Sequence, residues 1–250
     1  FTITTETGRA YLGEGWPDGL DEEIRTQIAR LEEEVGRRFG GPGEPLLVSV
    51  RSGAAVSMPG MMDTILNLVI TDDNVEVLAA ACGDPVFARN SLSRFKKMYG
   101  EIVGNDAIPA DPWVQLRHAI EAVFRSWDAD RARSYREREQ IPDHLGTAVT
   151  VQAMVFGNLD DLSGTGVLFT RNPATGERAP YGDFLFRAQG EDVVAGTHKT
   201  ESIDHLEERL PEVAAELAGH AATLESHFRD VCDIEFTVER ARLWLLQVRV

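Results

Sequence analysis

At 250 residues with 43% hydrophobic side chains, the chain is long enough for one large core or two smaller ones, and no apolar run approaches the ~18–20 residues of a membrane span. A formal net charge of −16 argues against nucleic acid as a partner, because that affinity rests on clustered Lys and Arg. Cys82 and Cys232 have neither metal-ligand nor disulfide-framework spacing, so they read as reduced, buried thiols of a soluble cytoplasmic protein.

Residues 1–20 lack the basic start and apolar run of a signal peptide. Residues 20–39 place Ile24, Ile28, Leu31 and Val35 at three- and four-residue spacing, which predicts an amphipathic helix ending at Gly40-Gly41. Pro45 opens an apolar strand, 46–50, that delivers Arg51 into a Gly/Ala/Ser loop closed by Pro59-Gly60. In such a loop Gly53 and Gly60 would let backbone N–H groups approach a phosphate, and Arg51 offers a planar fork of donors. The same chemistry fits a strand-to-helix connection whose arginine caps a carbonyl. Residues 63–68 are expected to begin a short helix, with further helices over 74–82 and 85–99.

Residues 104–112, GNDAIPADP, read as a linker. Beyond it, 113–138 reads as one long helix whose stripe is Leu116, Ile120, Val123, Phe124 and Trp127, with the polar run 128–140 as its solvated face. From Thr147 short β-branched and aromatic segments punctuated by glycine predict a meander of antiparallel strands. A helix over 206–228 and a hairpin over 233–250, turning near 239–242, close an α+β pattern of antiparallel sheet and flanking helices.

That hairpin carries the clearest chemistry. Asp233 and Glu235 are two apart, so on a strand they share a face while Ile234 and Phe236 point to the core. Paired carboxylates suit Mg²⁺, which commonly takes one or two protein oxygens and completes its octahedron with water and phosphate. Gln247 and Arg249 share a face of the returning strand. Spacing alone leaves open a solvated outer face of an edge hairpin.

Five segments in order, RSGAAVSMPGMMDTILNL (51–68), VQAMVFGN (151–158), TGVLFTRNPATGE (165–177), AQGEDVVAG (188–196) and DIEFTVERARLWLLQVR (233–249), carry a resemblance to the nucleotide-binding domain of the pyruvate phosphate dikinase family, which runs the length of the chain. The resemblance implies an ATP-grasp fold, with an N-terminal lobe over 1–103, the linker 104–112 and a C-terminal lobe over 113–250. It implies ATP as substrate and Mg²⁺ as cofactor, held by Asp233 and Glu235, with Gln247 and Arg249 on the phosphate chain. Arg51 and Arg94 fall on family arginines implied to clamp the transferred phosphates. Asp183, where the family usually has glutamate, and Glu191 are implied to recognise the ribose or nucleotide; the shorter Asp183 would reach the sugar through water. Gln152, Met154 and Val155 resemble the inter-lobe segment that meets adenine with backbone groups, and a buried strand is the alternative.

Some positions depart from the family. Val69-Ile70-Thr71 replaces a glycine-containing continuation, Arg187 stands where a small amide is common, His198-Lys199 replaces an Arg-Thr pair, and 104–112 is shorter than a helical insertion often found there. The family also has a lysine loop before the segment matching Phe1, and beyond Val250 a phosphohistidine domain and a pyruvate-binding barrel. Those two domains are the implied partners, within an enzyme that is a homodimer when complete. The implied reaction converts ATP, phosphate and pyruvate to AMP, diphosphate and phosphoenolpyruvate. The alternatives are a non-catalytic nucleotide-binding or docking module and phosphoenolpyruvate synthase-type chemistry on the same fold.

Overall fold

The computed structural model describes residues 1–41, 43–104, 108–179, 181–194 and 200–250, apart from the side chains of Glu191 and Val194; the expectations about His198-Lys199 and about the middle of segment 104–112 lie outside that set. The chain forms two compact units, Phe1–Met154 and Val155–Val250.

The first unit contains β1 (Thr2–Ile3), α1 (Thr5–Glu14), α2 (Leu20–Val35), β2 (Val48–Ala54), β3 (Thr64–Leu68), α3 (Val75–Cys82), α4 (Pro85–Val103), α5 (Pro112–Ser126), α6 (Asp130–Glu139) and β4 (Thr147–Ala153). Its sheet runs in the order β1-β4-β2-β3, every pair antiparallel. Helix starts follow capping chemistry. Asp84 accepts from the N–H groups of Val86 (2.8 Å) and Phe87 (3.0 Å) ahead of α4, and Asp111 accepts from Trp113 N–H (2.8 Å) ahead of α5, each with proline in the first helical position. The core joins Val50, Ile65, Val149 and Val151 of the sheet to Phe95 and Tyr99 of α4 and Leu116, Ile120, Val123 and Phe124 of α5, all buried. Full burial of each aliphatic side chain among them contributes ~1.5–3 kcal/mol.

The boundary between units therefore falls after β4, later in the chain than 104–112. The cause is register. After the expected linker the chain returns as β4 into the first sheet, where Thr150 pairs with Arg51 on one side and Thr2 on the other. Buried Gln115 also ties this segment inward, donating Nε2–H to the Pro109 carbonyl (2.7 Å) and accepting Val69 N–H (3.1 Å).

Four further expectations change in this unit. Residues 64–68 form a strand, because β-branched Thr64 and Ile65 complete the ladder opposite Arg51 and Val50. The strand before them extends through Arg51 and Gly53 to Ala54, and Gly53 N–H is committed to Thr147 Oγ1 (3.2 Å), so the open loop is 55–63. The predicted long helix is two. Ser126 Oγ–H donates to Val123 O (2.7 Å), the next turn tightens, and Ala129 is extended at ψ 146 before α6 begins. Helix α2 ends at Gly36, whose φ of +74 caps it, short of Gly40-Gly41.

The second unit contains β5 (Gly164–Phe169), β6 (Tyr181–Phe186), α7 (Gly190–Val194), β7 (Glu201–Ser202), α8 (Asp204–Arg209), α9 (Pro211–Phe228), β8 (Asp233–Glu239) and β9 (Arg242–Arg249). The sheet order is β7-β6-β5-β8-β9, antiparallel throughout, so the predicted meander is observed. Pro211 splits the helix expected over 206–228, since a proline excludes the residue before it from helical geometry; Leu210 sits at φ −134, ψ 64. One sheet face is packed: Leu168, Phe184, Ile234, Phe236, Val238 and Leu243 meet Leu206 of α8 and Val213, Leu217 and Ala221 of α9. Gly182 permits the β5–β6 approach, as a Cβ there would lie 2.1 Å from the Val167 carbonyl oxygen.

Strands β8 and β9 join through Arg240 (φ +51) and Ala241 (φ +59), a two-residue turn of the mirror-image type that matches strand twist. The hairpin also carries a bulge: Phe236 pairs with Leu245 and Glu235 with Gln247, leaving Leu246 as the extra residue. Cys82 is half-buried and Cys232 buried, and neither is in a disulfide.

Candidate nucleotide and metal site residues

In the second unit, register puts the expected residues on the sheet face opposite the α8/α9 core. One row across the strands reads Tyr181, Phe169, Asp233, Arg249; the next reads Asp183, Val167, Glu235, Gln247. Asp183 and Glu235 are two strands apart, which sets their Cα atoms ~10 Å from each other. Asp183 is exposed and accepts a hydrogen bond from Thr200 Oγ1 (2.8 Å). Glu191 lies in α7, and its side chain is outside the described residues.

Arg249 forks across both carboxylates, Nη1 lying 3.3 Å from Asp233 Oδ2 and Nη2 2.5 Å from Glu235 Oε1. The side chains of Asp233 and Glu235 are 26% and 16% exposed. Burial pushes Asp233 above the ordinary carboxylate value and the neighbouring Glu235 adds to the rise, while Arg249 pulls it down by charge and hydrogen bonding. A carboxylate left uncomfortable by burial beside a second carboxylate is a site that favours a cation. Among the described residues no group of three or more His, Cys, Asp and Glu is arranged to hold a metal. The donor set is therefore two hard oxygen ligands, which fits Mg²⁺ drawing its other ligands from water and phosphate and does not fit a closed all-protein cage.

In the first unit Arg51 sits inside β2, paired with Thr64 and Thr150, and Ser49 of the same strand pairs with Gln152 of β4. Strand alternation puts Arg51, Gln152 and Thr150 on one sheet face, opposite Val50 and Val151. Gln152 is half-buried, and its carbonyl accepts from Ser49 Oγ (3.4 Å). Met154 N–H donates to Leu47 O (2.9 Å). Val155 begins the second unit and, like Met154, is half-buried. Arg94 is a half-buried residue of α4, the helix whose Met98 Sδ accepts Leu66 N–H of β3 (3.2 Å).

The polar run 128–140 holds what sequence reasoning missed. Arg136 is 1% exposed; it donates to the Trp127 carbonyl and to Asp143 Oδ1 (2.8 Å), and its guanidinium lies 4.2 Å from the centre of the Trp127 ring. Arg131 reaches loop 55–63, Nε donating to Met61 O (3.0 Å) and Nη2 to Asp63 Oδ1. Nothing in the sequence separates these two from the solvated Arg133 and Arg138 beside them.

Comparison with known proteins shows the family of the chain. The family described as pyruvate phosphate dikinase, AMP/ATP-binding domain, matches residues 10–215. The chain is 45% identical to pyruvate, phosphate dikinase 1, chloroplastic, of Arabidopsis thaliana over 99% of its own length and 31% of the relative's. It is 44% identical to pyruvate, phosphate dikinase of Rhizobium meliloti (strain 1021), covering 99% of this chain and 34% of that one, and 43% identical to pyruvate, phosphate dikinase 2 of Zea mays, covering 100% and 34%. The chain thus spans about a third of the length of the curated relatives it matches. The alignment to the Arabidopsis protein runs over 296 positions, more than the 250 residues here, so residues of that relative have no counterpart in this chain. Relatives include chloroplastic and bacterial proteins, and no helix among the described residues is long and apolar enough to cross a membrane. On the family match and the ordered segments together, the chain belongs to the pyruvate phosphate dikinase AMP/ATP-binding domain family.

Proposed function

We propose that this chain binds MgATP and donates its phosphoryl group in a pyruvate phosphate dikinase reaction. The acceptor is a histidine, and both it and the pyruvate site lie in parts of the dikinase beyond the region spanned here. The observation that carries the reading is the register that gathers Asp183, Asp233, Glu235, Gln247 and Arg249 on one sheet face. The registry of a solvated hairpin would not need two half-buried carboxylates forked by one arginine.

Asp233 and Glu235 hold Mg²⁺, which neutralises phosphate charge when bound. Gln247 and Arg249 bind phosphate oxygens, and Arg51 and Arg94 clamp the transferred group by charge. The main-chain groups of Gln152, Met154 and Val155 meet the adenine, while Asp183 and Glu191 recognise the ribose side of the nucleotide. This chain supplies no covalent nucleophile; its contribution is positioning and charge neutralisation.

Calorimetric titration of ATP with and without Mg²⁺ tests this, comparing the chain with its Asp233→Ala/Glu235→Ala variant. Mg²⁺-dependent binding that the double variant loses supports the assignment. Binding indifferent to metal and substitution, or no binding, points to a docking module instead.

A further inference from the structure

The signature loop 55–63 has an exposed tip at Val56, Ser57, Pro59 and Gly60, and anchors on both sides of it. Met58 is 6% exposed and packs on Trp127 and Ala132. Asp63 N–H donates to Ser126 Oγ (3.2 Å), and that hydroxyl donates in turn to Val123 O. Arg131 closes the loop's second half, one arm on the Met61 carbonyl and the other on the Asp63 carboxylate. Ser126, Trp127, Arg131 and Ala132 all come from the elbow between α5 and α6. Buried Arg136 stiffens that elbow through the Trp127 carbonyl, and Trp127 Nε1–H donates to Asp143 O (3.0 Å). The loop's tip is thus held from beneath by a braced corner, and the Arg131 guanidinium grips two residues of the loop at once.

We propose that Arg131 is a positioning residue: it latches loop 55–63 to the α5–α6 elbow and so holds the loop's tip in place for the phosphate groups of a bound nucleotide. This rests on the nucleotide reading above. The planar fork is what the latch needs, because a carbonyl and a carboxylate two residues apart are met by two arms of fixed angle; a lysine ammonium holds one of them at a time. The Arg131 side chain is half exposed, and an ion pair in that setting contributes little to global stability. A latch is therefore distinguishable from a scaffold residue.

The test titrates MgATP into the chain and into its Arg131→Gln, Arg131→Lys, Asp63→Asn and Arg131→Gln/Asp63→Asn variants, with melting temperatures and amide exchange over 55–63 followed alongside. The latch requires that Arg131→Gln weaken MgATP about tenfold or more and speed exchange in the loop, with a melting temperature close to that of an Arg138→Gln control. Arg131→Lys recovers part of the affinity, and the double variant binds no worse than the weaker single one, since the pair acts as a unit. Unchanged affinity in Arg131→Gln overturns the latch while leaving the nucleotide reading standing. Faster exchange throughout the first unit with a matching fall in melting temperature overturns it in favour of a structural role. Failure of the unaltered chain to bind MgATP overturns the nucleotide reading and the latch with it.

Discussion

Val69 has φ +84, a conformation that suits glycine and that a β-branched side chain occupies only under constraint. Two side chains hold it there: Gln115 Oε1 accepts its N–H (3.1 Å), and Asn74 Nδ2 donates to its carbonyl (2.8 Å). Val69→Gly keeps both bonds. It removes a side chain only 1% exposed, a loss of ~1.5–3 kcal/mol, and adds ~0.5–1 kcal/mol of unfolded-chain entropy. Against this it releases ~1–3 kcal/mol of backbone strain, so the net cost is about 1 kcal/mol. Val50→Gly is the control: the same side chain, 0% exposed, in β2 and without a positive φ to relieve, for which the expected cost is about 3 kcal/mol. Urea unfolding followed by tryptophan fluorescence reads the difference, because Trp16, Trp113 and Trp127 all lie in the first unit. Equal losses in the two variants would show that Val69 stores no strain, and the reasoning would be refuted.

Asp233 supplies a pH prediction. Its folded-state pKa is raised, so its contribution to stability is fully present below the ordinary carboxylate value of ~3.9 and is lost as pH rises through the folded value. Asp233→Asn should therefore melt higher than the unaltered chain at neutral pH, with the gap closing in acid, and should lose Mg²⁺-dependent ATP binding; a lower melting temperature at neutral pH would contradict the burial argument. Ala241→Gly places glycine at φ +59 in the β8–β9 turn and should gain about 0.5–1 kcal/mol, read as a rise in the urea midpoint of the second unit; no gain would mean the turn is relaxed as it stands. Gly182→Ala drives a Cβ against the Val167 carbonyl and should cost about 3 kcal/mol, whereas Gly219→Ala in α9 meets open space and should gain about 1 kcal/mol; thermal melts of the two variants should move in opposite directions.

What the sequence revealed was chemistry carried by local periodicity. Asp233 and Glu235 could be placed on one face because a strand alternates every residue, and the turn near 239–242 is where the hairpin reverses. Long-range pairing was not legible. Residues 64–68 look helical in isolation and become a strand only because β2 lies beside them, and β4 returns to the first sheet across a segment that has the composition of a linker. Pro211 and Gly36 did carry local signals for a helix break and a helix end, outweighed by apolar spacing that continued past both. Arg131 and Arg136 show the remaining limit. Their roles come from where an elbow turns, and a run of alternating charges has no mark for that.

The bulge at Leu246 acts as a correction of reading frame. Trp244 and Gln247 are an odd number of residues apart, yet they pair with Thr237 and Glu235, which alternate to the same face. Without the extra residue at that point, a strand of this sequence would turn Gln247 and Arg249 toward the packed face and Val248 away from it. The hairpin thus absorbs a change of one residue in length between its aromatic half and its charged half without reversing either. The single extra residue is what keeps the arginine that forks the two carboxylates on their side of the sheet.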